Sequence, residues 1–298
     1  MWISADAAAA AGGTAADWQL VLHVLLLGMV QGFTEFLPIS SSAHLLLAQR
    51  LFALPYYGKT FDLVLHLGSL GAVLYFFRPE LGSVTAGAWR FLRSGGRVWP
   101  ERIEERWGAV VLIATVPTSC AGFLVDPWAE SHLQGPLLMA AMLALFGVLL
   151  GGGDFLARRR ETAEGKDVSE LRLMNSVGWK TSLALGLAQS LAFIPGVSRA
   201  GISLTAARLL GLPRGQAVRV SMLMSVPVIA GAVLVKTASG AVSAIGLPLP
   251  LIGLGVMTSA ACSWLSLRLL ARAGRLLQIA ACYRVALAVI IVFLFCRS

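Results

Sequence analysis

Gln31-Gly-Phe-Thr-Glu35-Phe-Leu-Pro38-Ile-Ser40-Ser41-Ser42-Ala-His44 carries the architecture of this chain. It sets an amide, a carboxylate, hydroxyls and an imidazole around a proline, between apolar stretches. A second run of the same kind is Pro195-Gly196-Val197-Ser198-Arg199-Ala-Gly201-Ile-Ser203. Polar and ionisable groups at bilayer depth are costly to hold and mark function by default. Proline and glycine in the middle predict helix, break, helix, and such breaks are tolerated only inside protein or beside a cavity.

The rest of the chain supports that setting. Of 298 residues 57% are hydrophobic and 13% charged, and mean hydropathy is +0.77. Soluble domains carry about 25% charged residues. Apolar runs of spanning or near-spanning length cover roughly 60–77, 107–125, 136–157, 219–236, 248–267 and 276–296. Met1–Ala16 has no basic start and does not read as a cleaved signal peptide. Cys120, Cys262, Cys282 and Cys296 lie in apolar segments without metal spacing and read as small core residues. The net charge of +9 does not point to nucleic acid, because the arginines flank apolar segments.

Loop charge sets the topology. Loop 78–106 holds Arg78, Arg90, Arg93, Arg97, Arg102 and Arg106; loop 158–180 holds Arg158, Arg159, Arg160, Lys166, Arg172 and Lys180. Both are expected on the cytoplasmic side. Loop 126–135, with Asp126 and Glu130 and no Lys or Arg, is expected outside. Arg268, Arg272 and Arg275 place their turn inside, as do Arg214 and Arg219. The broken segments 18–54 and 181–212 then read as re-entrant hairpins. A shift of 158 residues superposes Gly28 on Gly186, Gln31 on Gln189, Ala48 on Ala206, Arg50 on Arg208 and Pro55 on Pro213. The expected fold is therefore an all-α polytopic membrane protein. It forms one integral domain over 1–298, built from an inverted repeat (about 18–157 and 178–298) with six transmembrane helices and two re-entrant helical hairpins. Inverted repeats place the site near midplane, where the broken helices meet.

The residue types at the breaks fit an anion. Hydroxyls at Ser40, Ser41, Ser42 and Ser198 stand where helices begin and favour N-caps. Each new helix offers free N–H groups and a positive dipole end to an anion, and Arg199 adds a guanidinium fork suited to phosphate oxygens. Gln31 and Glu35, four apart, share a helix face. Glu35 is read as functional, with an ion pair to Arg199 compatible with that. Gln31 either serves the site or bonds backbone freed by the break. His44, near Glu35 and the serines, reads as functional; Asp62 and His66, also four apart, read either as a layer supporting the site or as polar packing between helices, with packing favoured.

On these motifs the chain resembles the undecaprenyl-diphosphate phosphatase family of bacterial membrane phosphatases, the bacitracin-resistance type. That family carries an (E/Q)xxxE segment running into a Pro-x-Ser-Ser stretch with a histidine, and a PGxSRS-type segment. Phe61-Asp62, His66-Leu67-Gly68 and Ser225-Val226-Pro227 also resemble family stretches, and the likeness covers nearly the whole chain. Gln31 departs from the commoner acid, Ala200 from the serine after the arginine, and Ser203 from a frequent threonine. The resemblance implies hydrolysis of a C55 polyprenyl diphosphate to the monophosphate, recycling the cell-wall lipid carrier in the bacterial inner membrane. It also implies a site open to the outer face and dependence on a divalent cation, Mg2+ or Ca2+. Catalytic roles are expected for Glu35, Ser41, His44 and Arg199, diphosphate contacts for Ser40, Ser42, Gly196, Ser198 and Ser203, and metal contacts for Glu35 and Gln31. His44 is the expected general acid or base; the nucleophile is Ser41 or water. The partner is the membrane lipid, and a homodimer is compatible with the chain. The alternative is a transporter of an anionic polyprenyl-phosphate lipid, which would need the anion site but no nucleophile. The other membrane lipid phosphatase superfamily needs a histidine after its arginine motif, and none follows Arg199.

Overall fold

The computed structural model describes residues 14–52, 54, 57–133, 135–164, 177–239, 245–272 and 276–296. Lys166, Arg172 and Arg275 of the charge argument, Pro55 of the repeat, and 1–13 of the N-terminal stretch lie outside these residues. The described residues are helical, without strands. In order they form α1 (Thr14–Glu35), α2 (Ser41–Leu51), α3 (Lys59–Phe76), α4 (Arg78–Arg93), α5 (Ile103–Leu124), α6 (Asp126–His132), α7 (Pro136–Glu164), α8 (Trp179–Ser190), a 3-10 turn (Leu191–Phe193), α9 (Arg199–Leu209), α10 (Arg214–Ala238), α11 (Leu249–Arg272) and α12 (Leu276–Cys296). Among them, α5, α7, α10, α11 and α12 are long and apolar enough to cross a membrane. A sixth span results if α3 and α4 count as one bent pair, with 90° between them.

Loop 78–106 is thus largely helical. Pro79 starts α4, Gly87 and Gly108 let α4 and α5 approach closely, and the pair Arg90–Glu105 (2.6 Å) ties them. A Cβ on Gly87 would lie 2.0 Å from the Glu105 carbonyl. Small residues permit such contact where lipid gives no hydrophobic drive to associate. The cysteine expectation needs correction: Cys120, Cys282 and Cys296 are exposed on the outer surface and Cys262 is half-buried. An apolar helix in a membrane needs no core for its small residues, so composition alone does not separate the two faces.

The offset of 158 residues recurs in space. α2 begins at Ser41 and α9 at Arg199, and each ends 158 residues apart as well, at Leu51 and Leu209. Ser40 and Ser198, just before them, both have positive φ, 73° and 67°. Gly28 faces the Gly255 carbonyl of α11, while Gly186 faces the Ala114 carbonyl of α5. The far end of α9 is fixed by buried Arg208, whose guanidinium meets Asp154 and Glu161 of α7, each at 3.1 Å. Its counterpart Arg50 lies over the Phe295 ring of α12.

Candidate active site

The two breaks meet at Glu35. Pro38 stops α1, and the turn that follows brings Ser40 to a left-handed conformation that non-glycine residues rarely adopt. Such backbone costs of order 1–3 kcal/mol and clusters at functional sites. The paired Ser198 is held by its own cap, since its Oγ accepts from the Gly201 N–H at 3.2 Å. Ser40 makes no cap; its Oγ instead meets Ser42 Oγ at 3.1 Å.

Both Glu35 oxygens are engaged, and the residue is buried. Oε1 accepts from Arg199, across 164 residues of chain. Oε2 accepts from Gln31 Nε2 at 2.7 Å and from Ser41 Oγ at 2.8 Å, and His66 Nε2 lies 3.2 Å away. Arg199 also donates to the Ser225 carbonyl of α10 at 3.3 Å. A cavity of about 220 Å³ opens on this cluster. One part of its lining is polar: Glu35, Ser40, Ser41, Ser42, His66, Thr118, Gln189, Ser198 and Arg199. The other part is apolar, from Leu63, Ala192, Phe193, Ile194, Val228, Ile229 and Ala232. The lining therefore offers polar groups suited to an anion and apolar side chains suited to a hydrocarbon.

Three expected site residues lie elsewhere. His44 does not line this cavity: its Nδ1 donates to the Ser40 carbonyl (2.7 Å) and its Nε2 meets the Tyr283 hydroxyl (2.7 Å), with the rings stacked. Ser41 turns to Glu35 instead of to His44. Ser203 is fully buried and donates to Gln189 Oε1 at 3.1 Å, so Gln189 and not Ser203 reaches the cavity. Gly196 serves the backbone: its φ is 93°, and a Cβ there would lie 2.4 Å from the Met139 carbonyl.

The structure gives three residues a place at the site that the sequence did not assign them. His66 is in the site and not merely packing; Gln189 is the repeat-mate of Gln31. The third is Arg284 of α12, fully buried. Its guanidinium donates to Pro38 O (3.2 Å) of the first break and to Gly196 O (2.9 Å) and Val197 O (3.0 Å) of the second. Its Nε donates to Leu143 O of α7 at 3.3 Å. A single cation thus fastens both breaks together. The signal was present, since an arginine inside an apolar span is functional by default.

Gln31 Oε1 is buried without a hydrogen-bond partner. It is a hard oxygen one helical turn from the Glu35 carboxylate, a donor pair compatible with a hard divalent cation. Among the described residues no group of three His, Cys, Asp or Glu side chains is placed to hold a metal ion. The protein can then give such a cation few ligands, and a bound diphosphate would have to supply others.

Comparison with known proteins agrees with the geometry. The bacitracin resistance protein BacA family matches residues 24–290. An undecaprenyl-diphosphatase of Alcanivorax borkumensis is 38% identical over 283 residues, 93% of this chain and 98% of the relative. Undecaprenyl-diphosphatase 2 of Stutzerimonas stutzeri is 37% identical, covering 92% and 98%. An undecaprenyl-diphosphatase of Moorella thermoacetica is 39% identical, also covering 92% and 98%. With the two motifs converging on one cavity and relatives matched along nearly their whole length, the chain belongs to the BacA bacitracin resistance protein family.

Proposed function

We propose that the protein hydrolyses undecaprenyl diphosphate to undecaprenyl phosphate and phosphate, recycling the cell-wall lipid carrier. The observation that carries this reading is the Glu35–Arg199 pair with Ser41 on the same carboxylate, in a cavity lined by both polar and apolar side chains. The diphosphate meets the polar side chains and the first prenyl units the apolar ones. Ser41 Oγ attacks the terminal phosphorus as its bond to the bridging oxygen breaks and undecaprenyl phosphate leaves; Glu35 Oε2, already accepting the Ser41 hydroxyl, receives its proton, and water then cleaves the phosphoserine to release phosphate while the proton returns to Ser41. Arg199 and the N–H groups opening α9 and α2 stabilise charge on the transferred phosphoryl group. Ser40, Ser42, Ser198 and Gln189 bind its oxygens. A divalent cation, Mg2+ or Ca2+, would be held by Glu35 and Gln31 and would offset the diphosphate charge.

The layout that goes with this reading has six spans and two re-entrant hairpins, in inverted halves. The bent α3–α4 pair, the repeat-related contacts and the arginine-rich segments support it. The site then opens to the outer face of the bacterial inner membrane. The test is phosphate release from a polyprenyl diphosphate by purified protein in detergent. Arg199→Lys should lose at least about a hundredfold, because an ammonium cannot form the fork. No release by the wild type, with lipid translocation in vesicles, would replace the enzyme by a transporter.

A further inference from the structure

We propose that the exposed face of α4 binds the phosphate headgroups of anionic phospholipids and lays this helix along the membrane surface, independently of the reaction at Glu35. The spacing of the chain builds that face. Arg78, Gly82, Thr85, Trp89 and Leu92 follow one another three or four residues apart and Arg93 adjoins the last, so they form one stripe along the helix. Every residue of the stripe is exposed, Trp89 by 60% and Leu92 by 58%. Bare tryptophan and leucine between two arginines suit neither water nor hydrocarbon alone. They suit the boundary where headgroups meet acyl chains.

The opposite face of α4 is closed by protein. A Cβ on Gly108 of α5 would lie 2.0 Å from the Val84 carbonyl, so the two helices touch backbone to backbone there. The acids are used on that side as well. Glu80 pairs with Arg219 of α10 at 3.1 Å, and Glu105 of α5 pairs with Arg90 at 2.6 Å. Glu80 is the sole acid of α4, so the exposed stripe carries cations and no carboxylate. Among the described residues no carboxylate pairs with Arg78, Arg93 or Arg97, the last exposed just past the helix end.

Direction and chemistry agree with a lipid surface. α4 leaves α3 at 90° directly after Phe77, so a helix that follows an apolar span turns along the membrane instead of through it. Arg78 lies over the Tyr75 ring at 4.2 Å and Arg93 over the Trp89 ring at 5.6 Å. Each ring covers the apolar stem of its arginine and leaves guanidinium N–H groups for phosphate oxygens. Arg78 gives one N–H to the Tyr75 carbonyl at 3.0 Å, which fixes its direction and leaves four others. Charge alone would suit any polyanion. Trp89 and Leu92 in the same stripe select a lipid surface, which offers phosphate and hydrocarbon together.

The experiment places a fluorophore at Thr85→Cys, in the middle of the stripe, in the full chain with its four cysteines changed to alanine. The protein is reconstituted in phosphatidylcholine vesicles, and quenching by doxyl-labelled phosphatidylglycerol is compared with quenching by doxyl-labelled phosphatidylcholine. One cation beside an anionic lipid surface is worth about fivefold in association. With salt screening, the three arginines should favour phosphatidylglycerol at the probe by at least about tenfold. The triple variant Arg78→Gln, Arg93→Gln, Arg97→Gln should bring the ratio within about twofold of one, at an unchanged unfolding midpoint. The same fluorophore at Val116→Cys, exposed on α5 away from these arginines, should show no such preference. Equal quenching by the two lipids at Thr85, no quenching by either, a preference that survives the triple variant, or an equal preference at Val116 overturns the proposal. If the triple variant does not purify folded, Arg93→Gln with Arg97→Gln is read the same way and should cut the ratio at least about threefold.

Discussion

Removing the Arg284 guanidinium should loosen both breaks at once. Arg284→Met keeps length and apolar volume but deletes every donor. The carbonyls of Pro38, Gly196 and Val197 lie in the breaks, where a helical ladder does not serve them. Each buried carbonyl left without a donor costs about 1–3 kcal/mol, or roughly 3–9 kcal/mol for the set. Against this, the variant no longer buries a cation among neutral carbonyls, a desolvation cost of several kcal/mol. The lower end, about 3 kcal/mol, is the expected loss. At about 2 °C per kcal/mol for a chain of this size, the midpoint in detergent should fall by about 6 °C. Because the same guanidinium aligns the turns that carry Ser41 and Arg199, phosphate release should fall at least about tenfold below the unfolding temperature. Arg284→Lys should lie between, since one ammonium has three donors but cannot span both breaks. A midpoint within about 1 °C of wild type and undiminished turnover in Arg284→Met would refute the clamp.

If serine attacks, Ser41→Ala should abolish turnover, and acid-quenched wild type should show phosphoserine at Ser41 by mass spectrometry; substantial turnover by the variant would leave water as nucleophile. Ser203→Ala should raise KM by no more than about tenfold, since it acts only through Gln189, and Gln189→Ala should be at least as severe. EDTA should suppress phosphate release and Mg2+ or Ca2+ should restore it, with Gln31→Ala shifting the restoring concentration upward; indifference to EDTA would dismiss the cation. A cysteine at Ser131 should react with an impermeant thiol reagent in intact cells and one at Ser94 should not; the reverse pattern would invert the proposed orientation.

Local rules made much of the molecule legible. The apolar runs predicted at 107–125, 136–157 and 276–296 correspond to helices Ile103–Leu124, Pro136–Glu164 and Leu276–Cys296. Charged residues extend two of them beyond the apolar run, Glu104 to Arg106 in α5 and Arg158 to Glu161 in α7. Pro38 and Gly196 forced the breaks through covalent geometry alone. The offset of 158 located the start of α9 from that of α2 to the residue. Glu35, Ser41 and Arg199 were recognisable because their polarity is expensive in that setting. Less legible were α4 and α6, placed within loops, because a short amphipathic helix at an interface lacks the long apolar run that signals a span.

What the sequence by itself determined is the set of chemical groups and the places where helices must stop, since both follow from residue type and from neighbours a few positions away. Only the tertiary structure decided which groups face one another. Ser41 and His44 are three apart on one helix, yet packing turns one to Glu35 and the other to Tyr283 of α12. His66 reaches Glu35 because α1 and α3 both pack on α11, and Arg284 arrives from the last helix to join turns 38 and 196. Those meetings depend on helix rotation and close approach, across as many as 246 residues between Pro38 and Arg284, and no local spacing encodes them.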